Sequence, residues 1–141
     1  MALIPKKVKH RKWQTDRTNP KKVRLETRGT IIAFGSHGLK AETVGRINSN
    51  QIEAARKTIA RQMHKTGKLW IRVFPDRPYT AKGSETPMGK GKGDPQGYEV
   101  EIKPGRLIFE VDGLTPAVAR EALRKAGAKL PIKSRVVSRI I

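Results

Sequence analysis

The chain has 141 residues, with 31 lysines and arginines against 12 acids, a net charge of +19 and no cysteine. The missing cysteine excludes disulfides, cysteine-bearing zinc sites and thiol catalysis. The surplus of cations destabilises any compact state by self-repulsion, so a polyanion is the expected partner, nucleic acid first and an anionic membrane surface second.

In chain order, residues 1–24 read as a basic arm. Lys6, Lys7, Lys9, Arg11, Lys12, Arg17, Lys21, Lys22 and Arg24 face one acid, Asp16, and the apolar residues lack helical spacing. A solvated tail and a nucleic-acid contact both fit that composition; the basic remainder of the chain favours the second. Val23 to Phe34 reads as a hairpin turning at Thr27-Arg28-Gly29, and Leu39 to Ile47 as a third strand, with Gly45 marking a bulge or a close approach. Asn48 and Gln51 form a capping-box pair ahead of a helix whose apolar face is Ile52, Ala55, Ile59 and Met63. Lys57, Arg61, His64 and Lys65 fall on another face, and Gly67 is the expected C-cap.

Lys68 to Phe74 is nearly continuously apolar, as for a strand covered on both faces, with Arg72 interrupting it toward an RNA-facing side. The prolines of Pro75-Asp76-Arg77-Pro78 should end it. Tyr98–Lys103 and Arg106–Asp112 read as a second hairpin through Pro104-Gly105, each strand with one buried face. Thr115 and Pro116 open a second helix that packs through Val118, Ala119, Ala122, Leu123 and Ala126 and ends at Gly127. Ile132 to Ile141 reads as a last strand. Strands do not alternate strictly with helices, so the expected fold is α+β, a mainly antiparallel sheet with two helices packed on it, in one domain over 1–141.

Between the strands, residues 80–97 form a long loop centred on Met88-Gly89-Lys90-Gly91-Lys92-Gly93. It has little to bury, and glycine beside lysine suits close approach to phosphates. It is not a nucleotide-binding P-loop: Gly91 follows Gly89-Lys90 where serine or threonine is needed, and a strand rather than a helix comes next. Gly35-Ser36-His37-Gly38 does not match a nucleophile elbow. Glu99 and Glu101 share one strand face beside Lys103 and other cations, an outer polar face rather than an acid–base pair. His10, His37 and His64 are isolated, and no apolar run approaches the ~20 residues that span a bilayer. No catalysis, metal, cofactor, small-molecule substrate, membrane contact or homo-oligomer is expected, and no secretory signal is read at the basic N-terminus. A free-standing nucleic-acid regulator and a small transferase or nuclease remain the rival classes; the second lacks an acid–histidine pairing.

Several stretches, in order, resemble the sixteenth protein of the bacterial large ribosomal subunit. They are Lys9-His10-Arg11-Lys12, Phe34 to Lys40, Gln51 to Arg56, Gly67 to Pro78, Met88 to Gly93, Lys103 to Arg106 and Lys129 to Lys133. The resemblance implies a structural protein that binds large-subunit rRNA near the aminoacyl-tRNA site, beside neighbouring ribosomal proteins, and takes part in late subunit assembly. The arm and glycine–lysine loop would reach toward the tRNA cleft, with tRNA a candidate partner. It implies RNA contact by the arm (Lys6, Lys7, Lys9, His10, Arg11 and Lys12) and by Arg77, Lys82, Lys90 and Lys92, while Met88, Gly89, Gly91 and Gly93 lie toward tRNA. The implied location is the ribosome, cytoplasmic or in an organelle. Two departures stand out: Pro87 occupies the place of the family's usual arginine before the loop, and the segment from Trp13 to Arg28 is longer than usual.

Overall fold

The computed structural model describes residues 3–7, 9, 12, 24–81 and 94–139. Most of the basic arm, and residues 82–93 at the centre of the glycine–lysine loop, lie outside them.

The elements run β1 (His37–Ala41), β2 (Gly45–Asn48), α1 (Ser49–Met63), β3 (Lys68–Ile71), β4 (Arg77–Ala81), β5 (Asp94–Ile102), β6 (Leu107–Asp112), α2 (Pro116–Gly127) and β7 (Ser134–Ser138). They form an α+β fold with two antiparallel sheets, one ordered β3-β6-β1-β7 and the other β2-β5-β4. The two helices pack on each other; α2 lies over β1, β7 and β6, and α1 over β2 and β5.

Both helices start where local chemistry directs. The Asn48 side chain accepts from the Gln51 amide at 2.9 Å, and the Gln51 side chain accepts from the Asn48 amide at 3.0 Å. This reciprocal cap satisfies donors that a helix start leaves open, and contributes about 1 kcal/mol. Ile52, Ala55, Ile59 and Met63 are buried as their spacing predicts. The helix stops at Met63 rather than near Gly67, because His64 and Lys65 themselves adopt left-handed backbone, φ 49° and 67°. Thr115 caps α2 with Pro116 in the first turn. Ala119, Ala122, Leu123 and Ala126 are buried, their small side chains letting α2 lie close; Val118, expected with them, is 37% exposed.

The strands depart further from expectation. The single strand read over Leu39 to Ile47 is two, β1 and β2, one in each sheet. Gly45 makes the close approach foreseen: a Cβ there would lie 2.4 Å from Ile132 Cγ2. The turn at Pro104-Gly105 exists, with Gly105 at φ 99°, but β5 and β6 on either side do not pair. β5 pairs with β2 and β4, and β6 with β1 and β3. The run Lys68 to Phe74 leaves its sheet after Ile71, and Arg77–Ala81 is a strand despite Pro78. β4 is an edge strand, where a missing N–H is tolerated.

β6 sits inside its sheet, and Leu107 to Val111 are all buried instead of showing one face. Opposite Leu39 and Lys40 its register skips from Phe109 to Leu107, a bulge that sends both Ile108 and Phe109 into the main core with Val111, the helices and Ile102. At an order of 1.5–3 kcal/mol for each fully buried aliphatic or phenyl side chain, this core supplies most of the driving force for the fold.

Candidate nucleic-acid interface

Residues 24–36 are not the hairpin their composition suggests. They run alongside β6 in the same direction, tied by Glu26 N–H to Pro104 O (3.0 Å), Leu107 N–H to Gly29 O (2.9 Å) and Ser36 N–H to Val111 O (2.9 Å). Their anchor is the carboxylate of Glu110, which is 0% exposed in the middle of β6. One oxygen of Glu110 accepts the amides of Ala33, Phe34 and Gly35 at 3.0, 2.9 and 3.0 Å. The other is paired with the Arg72 guanidinium. Burial acts to raise the Glu110 pKa, but the Gly35 amide, the Arg72 guanidinium and the Phe34 amide outweigh it and hold the group below its ordinary 4.5.

Above this staple Arg72 lies 5.0 Å over the Phe34 ring, and Phe34 stacks on Trp70 with centroids 5.9 Å apart and planes 21° apart. Arg106 ties the neighbouring backbone, donating to Arg72 O at 2.8 Å and Arg28 O at 3.3 Å. The expectation that Arg72 faces RNA is therefore revised. Its side chain is 18% exposed, and its guanidinium is held by a buried carboxylate. Arg77 is likewise turned inward; it is 5% exposed and ion-paired with Glu101. Glu99 and Glu101 are neutralised by Arg46, at 3.8 and 3.5 Å, and by Arg77 rather than by Lys103.

Other glutamates among the described residues are also paired within the chain. Glu53 pairs with Arg56, whose hydrogen bond lowers the Glu53 pKa to about 2. Glu121 pairs with Arg124 at 2.8 Å and Lys125 at 3.6 Å, and Glu42 reaches Arg135 at 3.9 Å. Asp76 and Asp112 stay exposed, but cations outnumber them at the surface. Lys6, Lys7, Lys9 and Lys12 of the arm are exposed, while Leu3 at its start packs against the core and so ties the arm to the body. Lys57 and Arg61 lie on an exposed side of α1, and His64, Lys65 and Lys68, also exposed, follow its end.

A groove of about 700 Å³ separates residues 30–32 from β7; it is walled by Ile31, Ile32, Val136 and Val137 and carries Lys40, Arg135 and Arg139. It runs on through Thr30, Lys40 and Arg135 into a second hollow beside Pro104 and Gly105, where Glu26 and Glu42, the partner of Arg135, also form the wall. Arg139 clamps one end, donating to Ala33 O at 2.9 Å from its side chain and to Ser36 O at 2.8 Å from its backbone. A cationic groove of this kind seats a phosphate backbone without reading bases.

A family model described as ribosomal protein L16p/L10e matches residues 5–137. The chain belongs to the L16p/L10e family. As an L16p/L10e protein it is a structural constituent of the large ribosomal subunit, works in translation as part of a ribonucleoprotein, and has rRNA and neighbouring ribosomal proteins as partners. Of the RNA-binding residues expected from sequence, the structure places Lys6, Lys7, Lys9 and Lys12 at the surface and Arg72 and Arg77 inside. His10, Arg11, Lys82, Lys90, Lys92, Met88, Gly89, Gly91 and Gly93 lie outside the described residues. Sequence reading missed Glu110 and the Lys40–Arg135–Arg139 groove of this L16p/L10e chain. The first had a signal: Arg72 and Glu110 each put one charge, of opposite sign, into an otherwise apolar run. The second had none, because its cations come from residues 40, 135 and 139, brought together only by the pairing of β1 with β7.

Proposed function

We propose that this L16p/L10e protein binds large-subunit rRNA beside the aminoacyl-tRNA site, there supports tRNA binding, and joins the subunit late in its assembly. The arm cations Lys6, Lys7, Lys9, His10, Arg11 and Lys12, the α1 cations and the Lys40–Arg135–Arg139 groove meet rRNA phosphates. Lys82, Lys90 and Lys92 act with them, and Met88, Gly89, Gly91 and Gly93 bring the loop backbone close to tRNA. Arg72 and Arg77 support this surface from within.

The observation that carries the reading is the sorting of charge. Glu42, Glu53, Glu99, Glu101, Glu110 and Glu121 each pair with an arginine of the chain itself, and the exposed Asp76 and Asp112 are far outnumbered by cations in a chain of net charge +19. Such a surface gains its affinity by releasing counterions from RNA. Equilibrium binding of the purified chain to large-subunit rRNA should therefore weaken about 10³–10⁵-fold between 50 and 200 mM salt, if on the order of six to ten phosphates are neutralised. Substituting Lys40 and Arg135 together should flatten the log–log slope by roughly 1–2. An affinity indifferent to salt over that range would contradict the reading.

A further inference from the structure

The ring of Phe34 is 54% exposed, although it is the outermost member of an ordered stack. Trp70 stacks against it and Arg72 holds a cation 5.0 Å from its centroid, and more than half of the residue still meets solvent. Its main chain is not free to fold the ring away. The amides of Ala33, Phe34 and Gly35 are all held by one buried carboxylate oxygen, and Gly35 lies so close to β6 that a Cβ there would be 2.4 Å from Val111 O. A fixed aromatic ring left half in water costs hydrophobic free energy that turning inward would recover.

We propose that Phe34 is the stacking platform for one unpaired nucleobase of the RNA. The neighbourhood selects that occupant. Arg139 is bonded to the carbonyl of Ala33, the residue before Phe34, and with Lys40 and Arg135 it lines the groove beside residues 30–32, a cationic track for the phosphate that follows the base. A planar base with an attached phosphate matches an aromatic face beside a guanidinium, and every base offers such a face. The Glu110 staple fixes the ring beforehand, so little ordering entropy remains to be lost on binding. Glu110 and Arg72 act here as positioning residues that do not touch the base.

This rests on the rRNA-binding reading above, and the test separates the two. The full chain is titrated against large-subunit rRNA across a salt series as wild type, Phe34→Leu and Phe34→Trp. Stacking is not ionic, so Phe34→Leu should bind about 5- to 150-fold more weakly at every salt concentration, by the worth of one stacked base, with the slope against salt unchanged. Phe34→Trp should restore the affinity. In parallel, ultraviolet irradiation of the wild-type complex should link RNA to the peptide carrying Phe34, a readout that needs no variant to fold. Wild-type affinity for Phe34→Leu, as expected if another protein covers the ring, or no adduct on that peptide, overturns the platform while the salt-dependent binding stands. Wild-type binding that ignores salt removes the underlying reading as well.

Discussion

Replacing Glu110 with alanine is expected to cost about 3–5 kcal/mol, the range for breaking a buried ion pair from one side. The carboxylate is fully buried, so its loss leaves Arg72 without its partner and three successive amides without their common acceptor. Glu110→Gln keeps an oxygen for the amides but loses the charge and sets an NH2 donor against Arg72, and should cost less than the alanine change, on the order of 2–3 kcal/mol. Against a typical total of about 5–15 kcal/mol, either loss is large. Urea unfolding at neutral pH measures both.

The same group makes an acid-dependent contribution. Its folded pKa lies below the ordinary 4.5, so the native state holds the charged form more tightly than the unfolded chain does. The stabilisation is complete above that ordinary value and is lost as the pH falls through the lowered folded value. Glu110→Gln should remove this component, so the gap between wild type and variant narrows in acid. A gap that does not change with pH would mean that the carboxylate is not the anchor.

Gly35→Ala should be as disruptive as losing the carboxylate. A Cβ at this position would meet Val111 O at 2.4 Å and Val111 C at 2.9 Å, both backbone atoms of an interior strand that cannot yield. The segment must lift, and its three bonds to Glu110 lengthen together. Overpacking alone costs about 1–3 kcal/mol, and uncovering the buried carboxylate adds to that. At this chain length each kcal/mol lowers Tm by about 3–6 °C, so a drop of roughly 10 °C or more is expected. Amide resonances of Ala33 to Gly35 should shift in the variant while those of α1 stay in place. A variant as stable as wild type would show that residues 33–35 are not pressed onto β6.

What could be read in advance follows from the range of the forces involved. Asn48, Gln51, Thr115 and Pro116 act within three residues, so both helix starts were legible, and 3.6-residue spacing marked Ile52, Ala55 and Ile59 as buried. The choice of sheet was not local. Tyr98–Lys103 and Arg106–Asp112 alternate correctly and flank a true turn, yet their partners lie elsewhere in the chain. Residues 30–34 have β-branched and aromatic character, but the amides of Ala33 and Phe34 are claimed by a carboxylate more than 70 residues away. The basic character of the surface was legible from composition. Which cations face outward was not, because Arg72 and Arg77 are drawn in by Glu110 and Glu101, partners that only the folded chain brings within reach.

The most direct test is to sediment the chain with large ribosomal subunits through a high-salt wash and then probe the rRNA backbone chemically, with and without it. The account predicts that it stays with the subunit, that backbone positions beside the tRNA cleft become protected, and that substituting Lys40 and Arg135 opens part of that protection. A chain that washes off, or that binds without shielding any backbone there, would contradict it.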